Sequence, residues 1–270
     1  LDQKSLGFDP HTPNVARLYD YYLGGKDHFP ADREAAELVL RAAPGMRAAA
    51  RANRAFLGRA VRHLAEAGIR QFLDLGTGLP AQESVDQVAA KVAPDSRVVY
   101  VDLDPVVLVH ARALLCGRPG TVVAQGDLRK PRDVIGHPEV LGAIDFSRPV
   151  GVLLVAVMHF VADADRPREI LATLREAMAP GSYLVLSHAA LDAFRARADA
   201  AERVTEVYER SNAPLTLRGR ERILELFDGF ALEDPGLVWL PEWHPEPADT
   251  VDFVAAPDAS LTLCGVARKI

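Results

Sequence analysis

Four short segments of this sequence put carboxylates, glycines and an imidazole where they could do chemistry. The first is Asp74-Leu75-Gly76-Thr77-Gly78. Glycine lets a backbone approach a ligand with no Cβ in the way. A lone Gly-x-Gly turn is common, and with Ala81 the run also fits the Gly-x-Gly-x-x-Ala form of a dinucleotide loop. Asp74 argues against that reading. A carboxylate two residues before the first glycine lies near a pyrophosphate, and like charges about 4 Å apart repel by about 1–4 kcal/mol. The same carboxylate suits a ligand that carries an ammonium or a sulfonium group.

The other three segments fall at matching places further along. Asp102, with Leu103 beside it, closes the apolar run Val98-Val99-Tyr100-Val101. An acid at the end of a second strand accepts hydrogen bonds from ribose hydroxyls. Asp104, just before Pro105, reads instead as a helix cap. Asp127-Leu128 follows the run 121–125. There a carboxylate can accept from an exocyclic adenine amine, or it can simply cap the turn before Pro131. Met158-His159-Phe160 closes the longest apolar run of the chain, which ends at Met158. Met158 is a candidate to pack on a ligand. His159 is a candidate base or a positioner of a substrate, and equally a histidine that bonds only to its own loop.

These segments need a scaffold, and the chain alternates strand-like and helix-like runs from Gln71 onward, as a mostly parallel sheet requires. The apolar patterns predict strands at 71–75, 97–102, 121–125, 150–157 and 183–187, with late strands at 236–240 and 260–267 joined in a hairpin-like way. Helices are expected at 81–92, 105–115, 132–135, 167–178, 189–210 and 217–227. Each candidate segment then sits at the C-terminal end of a strand, where open α/β sheets bind ligands.

Ahead of the sheet lies a helical region. Val15, Leu18, Tyr19, Tyr22 and Leu23 make one apolar face, with Asn14 as cap and Gly24-Gly25 as terminator. Lys26-Asp27-His28-Phe29 follows the double glycine and is a candidate part of the site. Pro30 opens a second helix and Met46 a third, whose buried stripe is Leu57, Ala60, Val61 and Leu64. Arg47, Arg51 and Arg54 share another face of it. They read as a solvated face, or else Arg51, Asn53 or Arg54 reaches a ligand. The domain division expected is 1–68 for a helical extension that folds over the site as a lid, and 69–270 for the sheet domain. Tyr22 and His28, with His159, are the candidate acid–base groups; Tyr19 and Tyr22 read equally well as the core face of their helix.

The totals exclude several classes. The chain has 270 residues, 49% hydrophobic and 25% charged, with a net charge of −6, which fits a globular protein and not a general nucleic-acid binder. No apolar run approaches the roughly 20 residues of a membrane span. No signal peptide is visible, and the two cysteines, Cys116 and Cys264, lack Cys-x-x-Cys spacing, so a reducing cytoplasm is expected. Eight histidines are scattered without His-x-x-x-His spacing, so no metal site is expected.

Together the four segments resemble class I S-adenosylmethionine-dependent methyltransferases. The N-terminal run from Asn14 to Arg33 narrows the resemblance. So do Arg51-Ala52-Asn53-Arg54-Ala55-Phe56-Leu57 and the sequence Asp74 to Pro80. These look like a bacterial family labelled S-adenosyl methyltransferase, formerly a domain of unknown function. Pro80 stands where many class I members have a third glycine, and it fits the narrower family. The resemblance implies an α/β fold with a Rossmann-like, seven-stranded, mostly parallel sheet whose last strand is antiparallel, here with an N-terminal helical extension. It implies S-adenosyl-L-methionine as cofactor. The loop of Asp74, Gly76, Thr77 and Gly78 would hold the methionine part, Asp102 the ribose, and Asp127-Leu128 the adenine. The methyl acceptor expected is a small molecule. A binding protein without turnover and an NAD-dependent oxidoreductase remain as competing readings.

Overall fold

The computed structural model describes residues 9–80, 83–115, 117–195, 197–246, 253 and 255–270. Three helices come first: α1 (Val15–Leu23), α2 (Pro30–Ala42) and α3 (Met46–Glu66). The alternating region holds β1 (Gln71–Leu75), α4 (Val85–Val92), β2 (Arg97–Asp102), α5 (Pro105–Leu115), β3 (Thr121–Gln125), α6 (Pro131–Ile135), α7 (Pro138–Ala143), β4 (Gly151–Val155), α8 (Pro167–Ala177) and β5 (Tyr183–Ala189). The chain ends with α9 (Ala198–Glu209), α10 (Arg220–Leu224), β6 (Ala231–Leu232), β7 (Val238–Trp239) and β8 (Thr262–Arg268).

The strands form one sheet in the order β3-β2-β1-β4-β5-β8-β6. β1 to β5 are parallel and β8 runs antiparallel to β5, Ser187 opposite Cys264. β6 and β7 both pair with β8, Leu232 opposite Ala267 and Val238 opposite Cys264. The expected seventh edge position is therefore filled by two short strands. The late pair expected as a hairpin is this antiparallel β7–β8 contact.

Alternation along the strands sorts side chains onto the two faces. Phe72, Val98, Tyr100, Leu153 and Val185 meet α3, α4 and α5 on one face. Leu73, Val99, Val101, Leu154 and Leu186 meet α6, α8 and α10 on the other. Leu57, Ala60, Val61 and Leu64 of α3 are buried, as their spacing predicts. They join the core of the sheet itself, so α3 is one of its covering helices. α1, α2 and α9 make a further layer with the start of α3, around Leu18, Tyr22, Val39, Val204 and Tyr208.

The N-terminal layer is fixed by polar bonds. Asn14 Oδ1 accepts from the Ala16 and Arg17 amides at 2.9 and 3.2 Å. The buried Asp32 carboxylate pairs with Arg17 Nε at 2.7 Å and accepts from the Asn14 and Phe29 amides. One buried acid thus ties the start of α1 to the start of α2.

Several expected bounds shift. The helix expected over 189–210 gives up its first residue to β5. It makes a 3-10 turn at Leu191–Phe194 and becomes α-helical only at Ala198. The Asp192 carboxylate accepts from the Arg220 amide at 2.7 Å and holds that turn. The helix expected from Leu217 starts at Arg220, because the Leu191 amide bonds Arg218 O at 2.9 Å and keeps residues 217–218 extended. β4 stops at Val155, where Ala156 turns left-handed at φ 57°. α4 starts at Val85, capped by Ser84 and Gln87; Ala81 and Gln82, expected as its first residues, lie outside the described residues. Among the described residues no helix is long and apolar enough to cross a membrane.

Candidate active site

The C-terminal ends of β1 to β5 open into a cavity of about 640 Å³, the size of a small-molecule site. At its floor the chain leaves β1 through Gly76 and Gly78, with φ of 76° and 66°. The Gly76 amide bonds Val101 O at 2.8 Å. A Cβ on Gly76 would sit 2.3 Å from a Val157 methyl, so the turn requires glycine there.

Asp74 is the last polar residue before this turn. It is buried and lines the cavity. Burial pushes its pKa up to about 7; the charge of Arg54 and the Thr77 hydroxyl offset that in part, and Asp102 adds to it. A buried carboxylate on a cavity wall is stabilised by a cation placed against it.

Asp102 lies at the neighbouring strand end. Its Oδ2 accepts from the Gly78 amide and its Oδ1 from the Asp104 amide, both at 2.9 Å. Burial raises its pKa, and these backbone bonds oppose the rise. Asp102 therefore links the tip of β2 to the glycine turn and still lines the cavity, with Leu103 half exposed beside it. Asp104 caps α5, its Oδ1 accepting from the Val106 amide at 2.7 Å, and its Oδ2 accepts from the Asn14 side chain.

Asp127 and Leu128 line the cavity after β3. The Arg129 guanidinium embraces the Asp127 carboxylate, with Nε and Nη2 both at 2.9 Å. Although burial pushes the Asp127 carboxyl upward, these bonds hold it below its ordinary range. The sequence offered no sign of this pairing.

Past β4, a 3-10 turn at Met158–Phe160 sends its side chains to opposite sides. His159 and Phe160 line the cavity; Met158 is fully buried in the core on the far face of the sheet. Met158 as a packing residue for the ligand is thus corrected: the turn points it away. His159 Nδ1 accepts from the Ala189 amide at 3.2 Å. In a neutral imidazole that leaves the proton on Nε2. Burial, with His188 and Arg218 close by, holds the His159 pKa well below the ordinary imidazole range. Arg218 sits behind this turn, bonded to Met158 O, Val161 O, Asp163 and His188 Nε2. Burial and the Arg218 charge bring His188 down to about 3, against the pull of its bond to Ala189 O.

Tyr22 lines the cavity, its hydroxyl 3.3 Å from that of Tyr208 on α9. Burial raises both pKa values, Tyr208 to about 12. His28 does not reach the cavity. Asp20 Oδ2 accepts from the Asp27 amide at 2.9 Å and folds residues 26–29 back over the end of α1, leaving His28 Nε2 at Gly25 O, 3.1 Å away. His28 as an acid–base candidate is corrected on that geometry. Of the arginine face, Asn53 and Arg54 line the cavity and Arg51 does not. Asn53 heads a buried relay: Ser187 Oγ donates to Asn53 Oδ1 at 2.6 Å, and Asn53 Nδ2 donates to Tyr19 Oη at 2.9 Å. Tyr208 and Phe194 fall in the segment 189–214, which the sequence marks as shaping the acceptor pocket without singling them out; Leu217 and the relay partner Ser187 were not singled out in sequence. Ser187 ends the strand predicted over 183–187, and the other three lie away from the strand-end motifs along the chain. No cluster able to hold a metal ion occurs among the described residues.

An antiparallel strand set among parallel ones, with acids at three successive strand ends, is the architecture of a class I S-adenosylmethionine-dependent methyltransferase. The sequence profile of the S-adenosyl methyltransferase family matches residues 2–270, and the chain belongs to that family. Its cofactor is S-adenosyl-L-methionine. A DUF574 family protein from Streptomyces avermitilis is 39% identical, with a TM-score of 0.91 over 97% of this chain and 99% of that one. A methyltransferase candidate from Thermobifida fusca is 40% identical, with a TM-score of 0.88 over 100% and 99%. An O-methyltransferase family protein from Burkholderia thailandensis shares the fold at 15% identity, TM-score 0.52, over 80% and 58%. Among curated proteins no relative matches.

Proposed function

We propose that the protein transfers a methyl group to a small-molecule acceptor bound in the same cavity as its cofactor. When bound, S-adenosyl-L-methionine supplies the electrophilic methyl group on a sulfonium. The residues present fit it: Asp74 is a buried carboxylate without an ion-pair partner among the described residues, beside a turn that a Cβ would fill. That is the observation that carries the reading. Asp74 takes the ammonium end, Asp102 the ribose hydroxyls, and Asp127 with Leu128 the adenine, Arg129 giving up part of its hold on Asp127. The Gly76–Gly78 turn allows close approach to the methionine part.

The remaining residues orient the acceptor and keep water out. His159 acts as a hydrogen-bond donor through Nε2 and not as a base, since Nδ1 is engaged by the Ala189 amide. With the methyl group supplied by the bound cofactor, the residues around the acceptor would serve to hold its nucleophilic atom in line, and a proton released by that atom would leave the site after transfer.

Incubation with methyl-labelled cofactor and a panel of small acceptors tests this. Labelled product, stoichiometric with S-adenosylhomocysteine, is expected. Tight cofactor binding with no transfer across the panel would favour a binding protein without turnover.

A further inference from the structure

The cavity is divided by charge. Its charged lining residues belong to the tips of β1, β2 and β3 and the adjoining Arg129, to the arm and first turns of α1, to Arg54 of α3, or to the rim at Asp165. Beyond the tips of β4 and β5 the lining residues Phe160, Phe194, Tyr208, Leu215, Leu217 and Leu261 carry no charge, and the charge of Arg54 reaches this part at Tyr19. This part is walled by α1, the start of α3, α9 and the loop 213–217.

That inner part is aromatic. Tyr19, Tyr22, Phe160, Phe194 and Tyr208 all line it. Phe160 and Tyr208 lie 5.7 Å apart, centroid to centroid. Leu215, Leu217 and Leu261 fill the spaces between the rings, and these walls are continuous with the buried core of the N-terminal layer. Aromatic walls favour a flat apolar occupant, and a charged group held there would be desolvated without a partner.

His159 Nε2 and the hydroxyls of Tyr22 and Tyr208 interrupt the apolar wall. His159 carries its proton on Nε2, because Nδ1 accepts from a backbone amide. The Tyr22 and Tyr208 hydroxyls bond each other; one proton of the pair makes that bond and the other is left over. The His159 N–H calls for an acceptor atom on the occupant, and the free side of the tyrosine pair can donate to that atom or accept from it.

Building on the methyl-transfer reading above, we propose that the inner cavity binds an uncharged aromatic small molecule whose polar end is an oxygen, and that this molecule is the class of methyl acceptor. The oxygen accepts from His159 Nε2 and exchanges a hydrogen bond with the Tyr22–Tyr208 pair. The ring system packs against the paired rings of Phe160 and Tyr208 and against the leucines. Specificity is then set by exclusion of charge as much as by fit.

The test uses three probes of one shape: 2-naphthol, 2-naphthoate and 2-naphthylmethylammonium, titrated near neutral pH into the full chain saturated with S-adenosylhomocysteine. The naphthol should bind one-to-one, and both ions more weakly by about tenfold or more. Leu217→Trp, which fills the inner part, should weaken the naphthol by about tenfold or more and leave S-adenosylhomocysteine within about twofold. Ala213→Trp on the same loop serves if the first variant does not fold. Tyr208→Phe should weaken naphthol binding by about threefold to tenfold. An ion that binds as tightly as the naphthol overturns the proposal. So does naphthol affinity unmoved by both tryptophans, or no binding of any probe. Loss of S-adenosylhomocysteine binding alone would overturn the cofactor reading instead, and titration of the naphthol into the protein without it still reads the inner part.

Discussion

The Ser187 hydroxyl at the tip of β5 donates to Asn53 Oδ1 in the middle of α3 at 2.6 Å, and both residues are buried. Ser187 Oγ in turn accepts from the Ala156 amide at 2.9 Å, at the left-handed residue that ends β4. Asn53 passes the connection to Tyr19 of α1, whose hydroxyl reaches Ala50 O at 3.1 Å. One relay therefore ties two strand tips to the helices that wall the cavity.

Ser187→Ala should leave the Ala156 amide and Asn53 Oδ1 without their partner. The expected loss is about 1–3 kcal/mol of unfolding free energy, since buried groups left unpaired cost about that much. Urea unfolding measures it. A variant as stable as the parent would show that the relay contributes nothing to holding the helices over the site.

Asp74 makes a pH prediction whose sign follows from its raised pKa. The folded protein keeps this proton up to about pH 7, whereas an unfolded aspartate loses it near pH 4. Between those values the folded state holds more protons, so this group lowers stability as pH rises from about 4 to about 7. Asp74→Asn should therefore gain melting temperature relative to the parent at pH about 8, by several degrees, and lose that advantage near pH 4. Cofactor affinity should run the other way. The ammonium end needs the carboxylate ionised, so affinity falls below about pH 7 by up to about tenfold per unit. Calorimetry in a pH series checks this, and the slope should vanish in Asp74→Asn.

The two glycines of the turn should not be equivalent. Gly76→Ala drives a Cβ into Val157 at 2.3 Å and also strains φ at 76°. Gly78→Ala meets nothing within 4 Å and bears only the strain of φ at 66°, about 1–2 kcal/mol. Thermal melts and S-adenosylhomocysteine titrations should both rank Gly76→Ala as the more damaging. Equal damage would mean that the close approach of Val157 does not constrain the turn.

His159 should stay neutral through the physiological range. Burial, His188 and Arg218 all disfavour its charged form. Nitrogen-15 spectra of the imidazole should show the Nε2–H tautomer unchanged between about pH 5.5 and pH 8. A titration near the ordinary imidazole value of about 6.5 would restore His159 as a base.

Much of the scaffold was legible in the sequence. β1, β2 and β3 run over their predicted residues, because short apolar runs closed by an acid or a turn leave few other readings. The same regularity made the cavity-lining places of Asp74, Asp102 and Asp127 legible, since each closes or follows such a strand. Met158 was misread because a 3-10 turn breaks the strand alternation that would have pointed it at the ligand. His28 was misread because the double glycine folds the chain back on Asp20 and not toward the site. Ser187 closes a predicted strand and Tyr208 falls in the long segment after it, but no pattern shows what either side chain touches. Their partners, Tyr22 and Asn53, lie on helices far away in the chain, and only the packed fold brings them together.

The central claim is that Asp74 and Asp102 hold S-adenosyl-L-methionine at the ends of β1 and β2. Calorimetric titration of S-adenosylhomocysteine into the full chain, its Asp102→Ala variant and its Asp74→Asn variant tests it most directly, with NADH as the competing ligand. One-to-one binding to the parent, about tenfold or more weaker in each folded variant, with no NADH binding, is the expected result. Unchanged affinity in both folded variants, or saturable NADH binding in place of S-adenosylhomocysteine, would contradict it.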